Sequence, residues 1–238
     1  HKEYRRQRQM CIRDSFTTAL IAKQKFPKGT LLYFLIISQL QDLLWFTFHY
    51  LGLEPTDPSD AFDATLSNMV VDMLYSHDLL PQLFWLAIVF LLGKLLFKST
   101  KIGLLSVALV SIHFILDFFS GHMHHVFGAD TMEAGLGLYA SKPYLAIFIE
   151  ALFSMGALWY FFKEEAKKGI LRTTKNRIAI LSVFAYGVIF MLLIATKSFR
   201  ELFGIPEFDL GFNTIMPTLI FTYGAMLFCL NHFVPKYT

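Results

Sequence analysis

Six apolar runs fix what this chain can fold into. They lie at about Thr30–Leu53, Leu79–Phe97, Ile102–Phe119, Pro143–Phe162, Ile178–Thr196 and Asn213–Phe233. At a helical rise of about 1.5 Å per residue, each is long enough to cross the roughly 30 Å of a bilayer's hydrocarbon. A segment in lipid must satisfy its own backbone hydrogen bonds, so runs of this length have to be helices. Composition agrees: of 238 residues 55% are hydrophobic and 16% charged, whereas a soluble domain carries about a quarter charged residues. The expected fold class is therefore an all-α integral membrane protein with about six transmembrane helices, in one polytopic domain from residue 16 to 238. Cys11 and Cys229 offer neither a disulfide framework nor a zinc-ribbon spacing.

Lys and Arg set the orientation. Thirteen flank one set of ends: Lys23, Lys25, Lys28, Lys94, Lys98, Lys101, Lys163, Lys167, Lys168, Arg172, Lys175, Arg177 and Lys236. The alternate ends carry three, Lys142, Lys197 and Arg200, and the stretch Glu54 to His77 carries none. Both termini are thus expected in the cytoplasm, with loops 54–78, 120–142 and 197–212 facing outward. The second and third spans, joined by "KSTK", form an antiparallel hairpin.

Three segments outside the spans need separate treatment. "RQMCIRDS" near the start resembles the translated sequencing adapter found at the ends of metagenomic reading frames, so residues 1–15 are set apart from the fold as a non-native scar. "FTTALIAKQKFPKG" reads as a short amphipathic segment on the inner side. In the first outer loop, Phe62, Leu66, Met69 and Met73 recur at helical spacing after a plausible N-cap, Ser59. An interfacial helix, or a lid over a site, is expected there.

Ionisable groups inside a span are costly and usually mark a functional path or a partner. Asp42, His113, Asp117 and Glu150 lie within spans, and His77 and Asp78 immediately precede one. Given the topology, all fall in the outer half of the bundle. His113 and Asp117, at i and i+4, share a helix face and can hold one metal ion. His77 is a natural third ligand through the hairpin, with Asp42 or water as a fourth. An open position would let a divalent ion, Zn2+ first among them, activate water near neutral pH, with Glu150 or Asp78 as general base. Two other readings of the same residues stay open: a mutual His–Asp hydrogen bond that satisfies two buried groups, and a proton path. His122, His124 and His125 read either as an adventitious surface binder or as further ligands. His49 and His232 read as interfacial.

Beyond the residues themselves, "YSHDLL", "IHFILDFF", "GLGLYASKPYLAIFIEALFSMGALWYFF" and the opening "ALIAKQKFPKGTLLYFLIISQLQDLLWFTFHYLGLE" resemble the YdjM-like membrane-bound metal-dependent hydrolases over roughly residues 16–162. The resemblance implies metal-dependent hydrolysis of a membrane-associated substrate, lipid-like or phosphoester, with no nucleic-acid partner. It maps the family's acid of the first long span onto Asp42, its first His onto His77, its His–Asp pair onto His113 and Asp117, and its next acid onto Glu150. This chain departs from the pattern at Asp78, Ile112 and Gln41, and "GHMHHVFG" replaces a downstream His-containing segment. The family's N-terminal His would fall where this chain reads "RDS", on a segment the topology places inside, away from the other ligands. The alternative function is a small proton-coupled carrier using Asp42, His113, Asp117 and Glu150 as a relay, or a non-catalytic membrane protein. No inverted repeat supports a carrier.

Overall fold

The computed structural model describes residues 14–121, 123–128, 130–208 and 211–235. Its helices are α1 (Asp14–Lys25), α2 (Leu31–Ser38), α3 (Leu40–Tyr50), α4 (Leu79–Phe97), α5 (Thr100–Ser120), α6 (Leu138–Ser141), α7 (Pro143–Lys167), α8 (Thr174–Leu193), α9 (Phe199–Phe203) and α10 (Ile215–Phe233). Two-residue antiparallel ladders pair β1 (Thr56–Asp57) with β2 (Val70–Val71) and β3 (His124–His125) with β4 (Glu133–Ala134). Helices α4, α5, α7, α8 and α10 are long and apolar enough to cross a membrane. The fold is the expected all-α membrane bundle. Its spans leave Leu83, Phe84, Leu95, Phe148, Trp159 and Phe221 exposed around the outside, as a lipid-facing surface requires.

The first expected span is broken. Instead of one helix over Thr30–Leu53, α2 and α3 meet at Gln39 with a 63° bend. The Gln39 amide bonds Ile36 O at 3.1 Å, an i→i−3 closure that ends α2. Non-helical backbone at membrane depth is tolerated where protein buries it, and Ser38, Gln39, Gln41 and Asp42 are all buried.

The second departure is α1. It is not an amphipathic helix on the inner surface. Ser15 to Leu20 are buried, and the helix packs on α2, α5 and α7. Its basic end is tied to the Lys-rich side: Gln24 Nε2 donates to Phe161 O at 2.9 Å, and Lys168 Nζ donates to Gln24 O at 3.0 Å. The boundary drawn at residue 15 therefore falls inside a packed helix.

The third departure is the first outer loop, where the expected interfacial helix does not form. Leu66, Met69 and Met73 are buried as its apolar spacing demands, but on irregular backbone. Asp60, Thr65 and Asn68 compete for the backbone groups a helix would need. The Phe62 amide donates to Asp60 Oδ1 at 2.9 Å, the Thr65 amide to Asn68 Oδ1 at 2.7 Å and the Asn68 amide to Thr65 Oγ1 at 3.0 Å. The loop is also pinned from outside, by Leu66 N to Ile194 O at 2.8 Å and by Arg200, which pairs with Asp60 at 2.6 Å and Asp63 at 2.5 Å.

The α4–α5 hairpin turns on Lys98, held in the left-handed region at φ 47°, and closes on glycine. A Cβ on Gly93 would lie 2.9 Å from Gly103 Cα, and one on Gly103 would lie 2.7 Å from Phe90 O, so only glycine permits this approach. At the Lys-rich end a buried Arg172–Glu165 pair (2.6 Å) also binds Val234 O at 2.8 Å, fastening the α7–α8 turn to the end of α10.

Candidate metal centre

Five elements bring the candidate ligands together. Helix α5 carries His113 and Asp117 one turn apart, both buried. Asp42 stands in the first turn of α3, just past the break. His77 precedes α4. Asp42, His77 and His113 each place one ligand atom within 4.8 Å of the other two, and this buried group can hold a metal ion. Asp117 Oδ2 borders both imidazoles. From above, β3 brings His124, its ring stacked on that of His77 at 6.2 Å and 6°. From below, α1 brings Ser15.

The hydrogen bonds orient the rings. His113 Nδ1 lies 3.0 Å from Ser38 O, a carbonyl that only accepts, so the proton sits on Nδ1. The break after Ser38 leaves that carbonyl available. Ser15 Oγ shares the same nitrogen at 2.9 Å. His113 Nε2 therefore faces the carboxylates. His77 Nδ1 contacts Ser76 Oγ at 2.8 Å, turning its Nε2 the same way. Asp42 Oδ2 accepts from Tyr223 OH at 2.7 Å. Around His77, Gln82 Nε2 donates to Ser76 O at 2.6 Å and Gln41 Nε2 donates to Gln82 Oε1 at 2.8 Å.

Four separations define the cluster. His77 Nε2 lies 3.6 Å from Asp42 Oδ1 and 3.5 Å from Asp117 Oδ2. His113 Nε2 lies 3.8 Å from Asp42 Oδ2 and 3.3 Å from Asp117 Oδ2. Charge-assisted hydrogen bonds would be shorter, about 2.7–2.9 Å. Two ligands bound tetrahedrally to one ion at about 2.0–2.2 Å sit roughly 3.4 Å apart. Among the described residues, Asp42 Oδ1, His113 Nε2 and Asp117 Oδ1 are buried with no hydrogen-bond partner. Each such atom costs about 1–3 kcal/mol if nothing satisfies it. These residues fit a divalent cation: the spacing suits it, the donors are imidazole and carboxylate, and two carboxylates balance its charge.

The other candidate residues take different roles. Asp78 clamps the β3–β4 hairpin, its Oδ1 accepting from the His125 amide at 3.0 Å and its Oδ2 from the Gly128 amide at 2.7 Å. Glu150 is buried on α7 and accepts a hydrogen bond from Tyr139 OH. His125 is buried in the hairpin 4.0 Å from Glu133, and His122 lies outside the described residues. His49, at the end of α3, contacts Glu54 O at 3.3 Å, and His232 stacks on Phe228 at the Lys-rich end. Sequence reasoning passed over Ser15, Ser38, Glu54, Ser76 and Tyr223. Only "YSHD", with a polar residue beside the His, carried a usable hint. Burial pushes the Glu54 carboxyl above the usual range, while hydrogen bonds from Ser76 and Tyr75 and the nearby His77 pull it part of the way back.

No protein-family model, curated protein or solved structure matches this chain.

Proposed function

We propose that this protein is a membrane-embedded metal-dependent hydrolase of the YdjM-like kind, with Zn2+ or a similar divalent ion held by His77, His113, Asp117 and Asp42. The observation that carries the reading is the set of four nitrogen–oxygen separations between 3.3 and 3.8 Å around buried, unsatisfied atoms. When bound, the ion supplies Lewis acidity toward a carbonyl or phosphoryl oxygen. The chain's own residues do the rest. Ser38 and Ser15 keep the His113 proton on Nδ1, and Tyr223 holds Asp42 in place. Glu150, hydrogen-bonded by Tyr139, is the general base. Asp78, considered alongside it, holds the hairpin that covers the cluster. The substrate is membrane-associated, lipid-like or phosphoester, because a site at this depth is reached through the bilayer. The positive-inside pattern supports both termini in the cytoplasm and the cluster in the outer half of the bundle, in a bacterial inner membrane. Reporter fusions at Ser59 and Asp130 should then read external and one at Lys167 cytoplasmic. A cytoplasmic signal at Asp130 would turn the site inward.

The test is purified protein in liposomes, assayed for chelator-sensitive hydrolysis of lipid and phosphoester panels and for proton flux. Asp117→Asn should lower turnover by orders of magnitude, since it removes a charged ligand. Glu150→Gln should keep the metal and lose rate. Proton flux that survives chelation but is lost in Asp117→Asn would sink the hydrolase and promote the carrier.

A further inference from the structure

His77 is held by a chain of hydrogen bonds that begins at a buried acid outside the cluster. Glu54 is fully buried. Its Oε1 accepts from the Tyr75 amide at 2.7 Å and the Ser76 amide at 2.8 Å, and its Oε2 accepts from Ser76 Oγ at 2.8 Å. Ser76 has one hydroxyl proton, and Glu54 receives it. The 2.8 Å contact between Ser76 Oγ and His77 Nδ1 must then draw its proton from the imidazole. The geometry points to a Glu54–Ser76 relay that fixes His77 with its proton on Nδ1 and its Nε2 facing Asp42 and Asp117, making Glu54 and Ser76 positioning residues for the metal centre.

The relay has a direction, and that makes it testable. In Glu54→Gln the amide oxygen takes the place of Oε1, because two backbone N–H groups point there. The amide nitrogen then faces Ser76 Oγ and donates to it. Ser76 must turn its own proton toward His77 Nδ1, which forces the imidazole proton onto Nε2, the atom the cluster needs bare. The substitution keeps size and shape but reverses the polarity of the chain. Ser76→Ala only cuts it, leaving His77 to take either tautomer. Outer partners of a metal-bound histidine typically contribute about 10–100-fold in affinity. Ser76→Ala should lose about that much, and Glu54→Gln should lose more. Adding Ser76→Ala to Glu54→Gln should recover affinity to the level of Ser76→Ala alone, since the misdirected donor then has no hydroxyl to turn. A purely structural role for Glu54 would make the double variant worse than either single one.

Two measurements on the full chain in nanodiscs decide it. The first is Co2+ and Zn2+ affinity by competition titration across the four proteins, and this arm alone rests on the metal reading above. The second is the 15N spectrum of histidine-labelled, chelator-treated protein, with the His77 signal assigned by its loss in His77→Gln. The relay requires a proton on His77 Nδ1 in the parent chain and a bare Nδ1 in Glu54→Gln. Absence of metal binding by the parent chain would defeat the hydrolase proposal while the spectrum still judges the relay. A His77 with no proton on Nδ1 in the parent, or an Nδ1 proton unmoved by Glu54→Gln, overturns it, as does a double variant weaker than both singles.

Discussion

A preformed metal site should appear as stability before it appears as activity. His113→Ala is the sharpest perturbation. His113 is fully buried and borders both carboxylates, at 3.8 Å from Asp42 and 3.3 Å from Asp117. Because its ligand atoms come from helices that meet only in the folded bundle, the ion binds the folded chain and not the unfolded one. Free Zn2+ at a hundred times its dissociation constant then stabilises the parent protein by about 2.7 kcal/mol. For a chain of this size about 2–4 °C accompanies each kcal/mol, so the melting temperature should rise by roughly 5–11 °C. Loss of His113 removes a ligand and leaves two buried carboxylates without the imidazole between them. If affinity drops a hundredfold or more, the same Zn2+ concentration contributes at most about 0.4 kcal/mol, under about 2 °C. The assay is thermal unfolding in detergent, with Zn2+ or with chelator. His232→Ala, exposed at the Lys-rich end, should keep the full shift. A shift that persists in His113→Ala but disappears when His124 and His125 are replaced would move the ion into the hairpin and refute the assignment.

Other perturbations test the surroundings of the cluster. Tyr223→Phe removes the donor to Asp42 Oδ2 (2.7 Å) and should cost about 1.5–3 kcal/mol in the metal-free protein, read by chemical unfolding; a neutral result would mean that Asp42 is satisfied elsewhere. Gly103→Val drives a side chain into Phe90 O, which as backbone cannot yield, so the α4–α5 hairpin should lose about 1–3 kcal/mol and Zn2+ affinity should fall with it, because His77 leads into one arm and His113 sits on the other. Burial raises the Glu54 carboxyl above its unfolded value. Its contribution is therefore fully present below the unfolded pKa and is lost as pH climbs through the raised value, so the stability of the metal-free parent relative to Glu54→Gln should decline with rising pH across that window and level off beyond it. A difference flat with pH would show that the carboxyl is not shifted.

The elements that could be read in advance are those governed by one-dimensional rules. Apolar length fixed the spans Leu79–Phe97 and Ile102–Phe119 almost to the residue. Helical spacing placed His113 and Asp117 on one face, and the short "KSTK" link brought His77 toward them. Asp42 or water is the expected fourth ligand, and the structure groups Asp42 with the two histidines. What escaped depends on partners far away in the chain. Gln39 lies in a mostly polar run from Ser38 to Asp42, but polar residues of these types do not by themselves end a helix, so nothing local marks Gln39 as the break. Nothing near Glu54 shows that it meets Ser76, 22 residues on. The loop at Phe62–Met73 had helical spacing, but side chains such as Asn68 took up its backbone groups, and burial came without a helix. His124 reads from the sequence either as a surface binder or as a further ligand, and it lies buried against His77 because the β3–β4 ladder folds it inward.

The placement of α1 bears on how the protein is made. At 12 residues it is about 18 Å long, too short to cross a bilayer by itself, and its buried face includes Ser15, Thr17 and Thr18. Its Gln24 bonds Phe161 of α7 and Lys168 just past its end, 137 and 144 positions downstream. A nascent chain emerging from the ribosome therefore synthesises α1 before the wall it leans on exists. The segment can complete its packing only after α7 has been inserted, when it also carries Ser15 to His113. The first of these helices to be translated is among the last to be seated, and the metal pocket stays incomplete on its α1 side through most of membrane insertion.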